Sequence, residues 1–124
     1  MPIRTEVRTD PALVVFTVDG GFTDAEFAAA VDEATNTPGW RPAMDVLFDI
    51  TSGVGDKLTA DGLKRMARFL WANTPKLGAG YRAAVVAPGD RDYGLTRMFQ
   101  AYMDGPPFEL KIFRGRQDAL DWLG

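Results

Sequence analysis

Apolar and polar positions follow two periods along this chain, and the changes from one period to the other outline a fold. Ile3, Thr5 and Val7 alternate with Arg4, Glu6 and Arg8. That period of two predicts a strand with one wet face, at a sheet edge. Thr9-Asp10-Pro11 is turn chemistry. Ala12–Val18 (ALVVFTV) follows and is apolar on both faces, so the first two strands are expected to form an antiparallel hairpin with the second more central. After Asp19-Gly20-Gly21 the period becomes helical. Thr23 and Glu26 have the spacing of a capping box, and Phe22 and Phe27 that of a hydrophobic staple. Phe27, Ala30, Val31 and Ala34 form one stripe, and Asn36-Thr37-Pro38-Gly39 stops the helix.

The alternation returns at Asp45–Ile50, with Val46, Phe48 and Ile50 on one face and Asp45, Leu47 and Asp49 on the other. A glycine-containing loop, Thr51–Lys57, leads to a second helix start, where Thr59 is the expected N-cap and Leu58 and Leu63 a second staple. Its predicted stripe is Leu63, Met66, Ala67, Leu70 and Trp71, and Asn73-Thr74-Pro75 ends it because the residue before proline avoids helical angles. The run Tyr81–Ala87 is continuously apolar from Ala83, as suits a strand buried on both faces of a parallel sheet. Pro88-Gly89 stops it. A third helix, from Asp90 or Asp92 to Met103, presents Leu95, Met98, Phe99 and Tyr102 at i, i+3, i+4 and i+7. Gly105-Pro106-Pro107 breaks the chain, Phe108, Leu110 and Ile112 mark a fifth strand at the other edge, and Arg116–Leu123 is a short closing helix with Ala119, Leu120 and Leu123 inward.

The order β-β-α-β-α-β-α-β-α predicts an α/β domain with a five-stranded, mostly parallel sheet and an antiparallel first strand. Sequential strand order would place all crossover helices on one face, and a reversal of order would cover both. The pattern alone leaves that choice open. At 124 residues, 46% hydrophobic and 25% charged, the chain is read as one domain, 1–124, with a real core.

Composition narrows the chemistry. There is no cysteine and no histidine, which removes thiolate ligands, disulfides, the Ser-His-Asp triad and the usual general base together. Ser52 is the only serine, and no base is in view to activate it. The expectation is therefore a protein that is not an enzyme and needs no cofactor. A net charge of −3 argues against nucleic acid. Lys57, Lys64, Arg65 and Arg68 cluster, but they are read as a solvated helix face. No apolar run approaches the ~18 residues of a membrane span and no leader-like segment follows Met1, so a cytoplasmic location is expected.

Most motif-like strings reduce to structure. Gly78-Ala79-Gly80-Tyr81-Arg82-Ala83 has G-x-G-x-x-A spacing, but its glycines precede a predicted strand, where they cannot form the dinucleotide turn. Gly53-Val54-Gly55-Asp56-Lys57 lacks the P-loop spacing. Asp45 and Asp49 share a strand face, yet their Cα atoms should lie ~13 Å apart, too far to share a proton. Asp49 is expected to pair with an arginine or cap the next turn. Trp40 is read as a lid over a core edge. Arg97 is placed near the start of the third helix, where the macrodipole disfavours it, and a bidentate pair with Asp49, Asp61, Asp90 or Asp92 is predicted.

Several strings resemble the SpoIIAA-like proteins, bacterial relatives of the STAS domain that are also compared with the CRAL-TRIO lipid-carrier fold. They are Leu47-Phe48-Asp49, Ala84-Val85-Val86, Tyr93-Gly94-Leu95-Thr96-Arg97-Met98-Phe99, Phe113-Arg114 and Ala119-Leu120-Asp121-Trp122-Leu123. The resemblance implies sequential strand order, a right-handed (βα) superhelix and an antiparallel first strand. It also places Thr59-Ala60-Asp61-Gly62 where regulatory STAS proteins carry a phosphorylated serine. Ala60 has no hydroxyl, and Asp61 falls at the modified position as a constitutive charge.

Two functions follow as expectations. The first is a non-enzymatic binding or regulatory module acting on a protein partner through the loops at the carboxyl ends of strands three and four, with Asp49, Thr51, Ser52, Thr59, Asp61, Tyr93 and Arg97 as binding residues. The alternative is a carrier or sensor of a small apolar ligand such as a lipid or fatty acid. It rests on Met66, Trp71, Met98, Phe99, Tyr102 and Met103 on the second and third helices, between which a ligand cavity would lie. A homodimer is compatible with either.

Overall fold

The hairpin and the two capped helices form where the pattern puts them. In the computed structural model, which describes residues 2–124, the first strands are β1 (Ile3–Thr9) and β2 (Ala12–Val18), antiparallel, with Ile3 opposite Val18 and Thr9 opposite Ala12. Helix α1 (Asp24–Thr35) opens with the full capping box: the Thr23 hydroxyl accepts from the Glu26 amide, and the Glu26 carboxylate accepts from the Thr23 amide at 2.9 Å. Its buried residues are Phe27, Ala30, Val31 and Ala34, the predicted stripe.

Strand β3 (Asp45–Asp49) lies parallel to β2, and helix α2 (Ala60–Ala72) is capped by Thr59, whose hydroxyl accepts from the Gly62 amide at 3.0 Å. Helix α2 ends at Ala72 with Asn73 as its C-cap, as the sequence predicts. A single turn, α3 (Thr74–Leu77), follows with Pro75 in its first turn, where a missing N–H costs nothing. Strand β4 (Arg82–Val86), helix α4 (Asp90–Met103), strand β5 (Glu109–Phe113) and helix α5 (Arg116–Leu123) complete the described elements. The sheet runs β1-β2-β3-β4-β5, and every pair after the first is parallel.

Sequential order divides the core unequally. Buried residues of α1, α2 and α4 pack with Val14, Phe16, Ala83 and Val85 on one face. Leu13, Val15, Leu47, Ala84 and Val86 on the other face meet Ala119 and Leu123 of α5 alone. The aromatic centre of the thicker layer is Phe48, with ring centroids 5.7 Å from Phe16, 6.0 Å from Phe22 and 5.8 Å from Phe27.

Two predicted stripe residues are exposed instead. Trp71 is 43% exposed, and its indole N–H donates to the Met103 carbonyl at 2.7 Å, tying the end of α2 to the end of α4. Met98 is 39% exposed, because the buried residues of α4 are Thr96, Phe99 and Met103. Thr96 can be buried because its hydroxyl donates to the Asp92 carbonyl at 2.8 Å within its own helix. A reading based on apolar side chains alone therefore set the helix face one position off.

Candidate functional site

Two regions could carry function: the carboxyl edge of the parallel strands, where the sequence placed its site, and the apolar layer beneath α1, α2 and α4.

At the carboxyl edge, Asp49 ends β3 with 7% exposure. One carboxylate oxygen accepts from the Thr51 amide at 2.9 Å and from the Thr51 hydroxyl, and the other accepts from Arg116 at 2.5 Å. Burial works to raise the Asp49 carboxyl, but the Thr51 and Arg116 hydrogen bonds outweigh it and hold the group below the ordinary carboxylate range. Arg116 is the first residue of α5, and its helix has no side-chain cap, so a carboxylate beside it offsets an unfavourable charge at the helix start.

A second arginine clamps the neighbouring loop. Arg114 donates to Asp90 at 2.7 Å and to the Pro88 carbonyl at 3.0 Å, with its guanidinium 4.1 Å from the centre of the Tyr93 ring. Asp92 joins the two loops: it accepts from the Val54 amide at 3.2 Å. The loops after β3 and β4 thus converge as the sequence predicts, and Asp49 has the arginine partner and the turn cap expected of it.

The Arg97 clamp is a correction. Arg97 is exposed and makes no ion pair with any described residue. It stands eight residues after the Gly89 N-cap, beyond the first turn where the macrodipole acts, so no carboxylate is required. The macrodipole penalty falls instead on Arg116, which opens a helix directly and which the sequence pattern does not single out. Of the predicted binding residues, Asp49 and Thr59 are engaged internally, Thr51 lends its hydroxyl and amide to Asp49, and Tyr93 lies under Arg114. Ser52, Asp61 and Arg97 face solvent. Asp45 is far from this edge: it accepts from the Arg82 amide at 2.8 Å and pairs with its guanidinium at 3.3 Å at the amino end of the strands.

The second region is a cavity of about 130 Å³ between the sheet and helices α1, α2 and α4. Val14, Phe16, Val46, Phe48, Ala83 and Val85 form its floor. Its roof takes Phe27, Val31 and Ala34 from α1, Leu63, Met66 and Leu70 from α2, and Leu95, Thr96 and Phe99 from α4. Trp40, Met44, Leu77, Tyr81 and Phe108 close the amino end, while Val54 and Leu58 line the carboxyl end. Two small side chains, Ala34 of α1 and Ala83 of β4, are among its lining residues. The cavity extends beyond the expected place: all three helices and the sheet take part. Of the six residues nominated for a pocket only Met66 and Phe99 line it. Trp40 is half-buried at one end, close to the lid role expected of it.

The sequential sheet, its antiparallel first strand and the helix placement define a SpoIIAA-like fold. The chain is similar to the solved structure of an uncharacterized protein from the DUF3478 family with a SpoIIAA-like fold, from Shewanella loihica PV-4, at 25% identity and a TM-score of 0.62. The match covers 98% of this chain and 92% of that one. No protein-family model matches the chain, and neither does any curated protein. No helix among the described residues is long and apolar enough to cross a membrane.

Proposed function

We propose that this protein is a non-enzymatic binding module whose ligand is a small apolar molecule held between the sheet and α1, α2 and α4. The observation that carries the reading is the cavity itself, about 130 Å³ and lined almost wholly by apolar and aromatic side chains. Protein interiors are ordinarily close-packed, so an apolar space of this size, partly open to solvent, offers contact energy to a ligand that fills it. Its volume sets the scale of the occupant. An engineered apolar cavity of about 150 Å³ takes benzene, so a ligand of roughly that size fits and a long acyl chain does not.

The loop surface gives the second reading, a regulatory contact with a protein partner. Val54 and Leu58 line the cavity, while Ser52, Asp56 and Lys57 in the same segment, and Asp61 just beyond, face solvent. A ligand that pushes on Val54 therefore pushes on the surface a partner would touch, in a cytoplasmic setting. The first reading is tested by titrating toluene into the purified protein and following the unfolding midpoint. A saturable rise supports it, and no rise at any concentration removes it. For the second, partner recovery is compared between wild type and Asp61→Arg, and equal recovery excludes this surface.

A further inference from the structure

One hydroxyl in the cavity lining has no hydrogen-bond partner among the described residues and stays accessible to a ligand. Among the lining side chains, the Thr35 hydroxyl donates to the Asp32 carbonyl at 2.9 Å and the Thr96 hydroxyl to the Asp92 carbonyl at 2.8 Å. The Met44 sulfur accepts from the Arg41 amide at 3.2 Å. Trp40 is half-exposed, within reach of water for its indole N–H. Tyr81 differs from all of these. It is only 9% exposed, it lines the cavity, and its hydroxyl has no hydrogen-bond partner among the described residues. Its ring is fixed by stacking on Phe108, centroids 4.8 Å apart and planes at 10°. It precedes β4 with the same parity as Ala83 and Val85, so its side chain belongs to the helix-covered face.

We propose that the Tyr81 hydroxyl is the polar anchor of the binding site, and that the ligand is a small neutral molecule, aromatic or of similar size, carrying one hydrogen-bonding group such as a hydroxyl or carbonyl. This rests on the cavity reading above and narrows it. Mostly apolar ligand pockets fix orientation with a few placed polar groups, and a tyrosine hydroxyl that no protein group engages has the form of such a specificity-setting contact. Burial pushes the Tyr81 hydroxyl up to about 12, so it stays protonated and can both donate and accept at any physiological pH. No lysine or arginine lines the cavity, so a carboxylate would be buried without a counter-charge. The site therefore selects against fatty acids and benzoates by charge, and against long chains by volume.

The experiment is a calorimetric titration at neutral pH of wild type and Tyr81→Phe with toluene, phenol, benzoate and palmitate. Wild type should bind phenol more tightly than toluene. Tyr81→Phe should lose about three- to tenfold in phenol affinity, the effect of one hydrogen bond, while binding toluene as wild type does. That retained toluene binding also shows that the variant is folded and its cavity intact. Equal phenol affinity in the two proteins overturns the role of Tyr81, with the cavity reading left standing. Benzoate or palmitate binding as tightly as phenol overturns the ligand class. Failure of both toluene and phenol to bind wild type overturns the cavity reading, and this inference with it.

Discussion

Arg97 and Arg116 are the same residue type in similar settings, helices that begin at the carboxyl edge of the sheet, yet only Arg116 is tied down. Arg116 reaches the buried Asp49, whereas Arg97 points to solvent from the third turn of its helix. Arg116→Met should destabilise the protein by about 1–3 kcal/mol, because the Asp49 carboxylate loses a charged hydrogen-bond donor while staying buried. Arg97→Met should stay within about 0.5 kcal/mol of wild type. Urea unfolding of the two variants checks both, and equal midpoints would remove the distinction. The Asp49 network also sets a pH dependence. Its carboxyl is held below the ordinary range in the folded state, so its stabilisation is present above the unfolded-state value of about 3.9 and is lost as pH falls through the lower, folded-state value. The stability gap between wild type and Asp49→Asn should thus be widest near neutrality and close on acidification below about pH 4. A gap that is constant with pH would mean the carboxylate is not the group responsible.

Elements were legible in the sequence to the extent that their signals are local. Thr23, Glu26, Phe22 and Phe27 act within one turn of each other, and the structure reproduces the capping box and the burial of both phenylalanines. The apolar run before Pro88 is likewise a local signal. Which arginine meets which acid is not local, since Arg116 and Asp49 are brought together by the sheet. Buried Thr96 and exposed Met98 misled for a related reason: hydrophobicity predicts burial only where a backbone carbonyl does not satisfy a hydroxyl. Loop packing belongs to the same class. Gly55 has φ +69°, and a Cβ there would meet the Gly21 Cα at 2.5 Å, so the loops before α1 and α2 touch backbone to backbone. Gly80 has φ +79° but open space around it. Both alanine substitutions carry the left-handed strain of ~1 kcal/mol, and Gly55→Ala must also push two main-chain segments apart. Gly55→Ala should therefore cost at least ~1 kcal/mol more than Gly80→Ala. Thermal melts of the pair read this directly, and matched losses would show that the loops part freely.

At the scale of the whole molecule, the sheet and its three crossover helices could have closed on a full core, and the sequence had every apolar residue needed to predict that they would. Composition reports which side chains are inside but not whether they meet, so a cavity is invisible until the facing positions are known. Here Ala34 and Ala83 are small side chains in the cavity lining, where larger ones would interdigitate. If the void is kept for a ligand, filling it should improve stability and remove binding together, the trade expected of a functional defect in packing. Ala83→Ile adds volume on the cavity floor, at a central strand position that suits a β-branched side chain. The substituted protein should be more stable than wild type by about 0.5–2 kcal/mol. Toluene at a hundredfold its Kd should add ~2.7 kcal/mol to wild type and nothing to the variant. A variant less stable than wild type would show that the floor is already packed at Ala83 and that the open volume lies elsewhere in the layer. A variant that still responds fully to toluene would separate the binding site from this cavity.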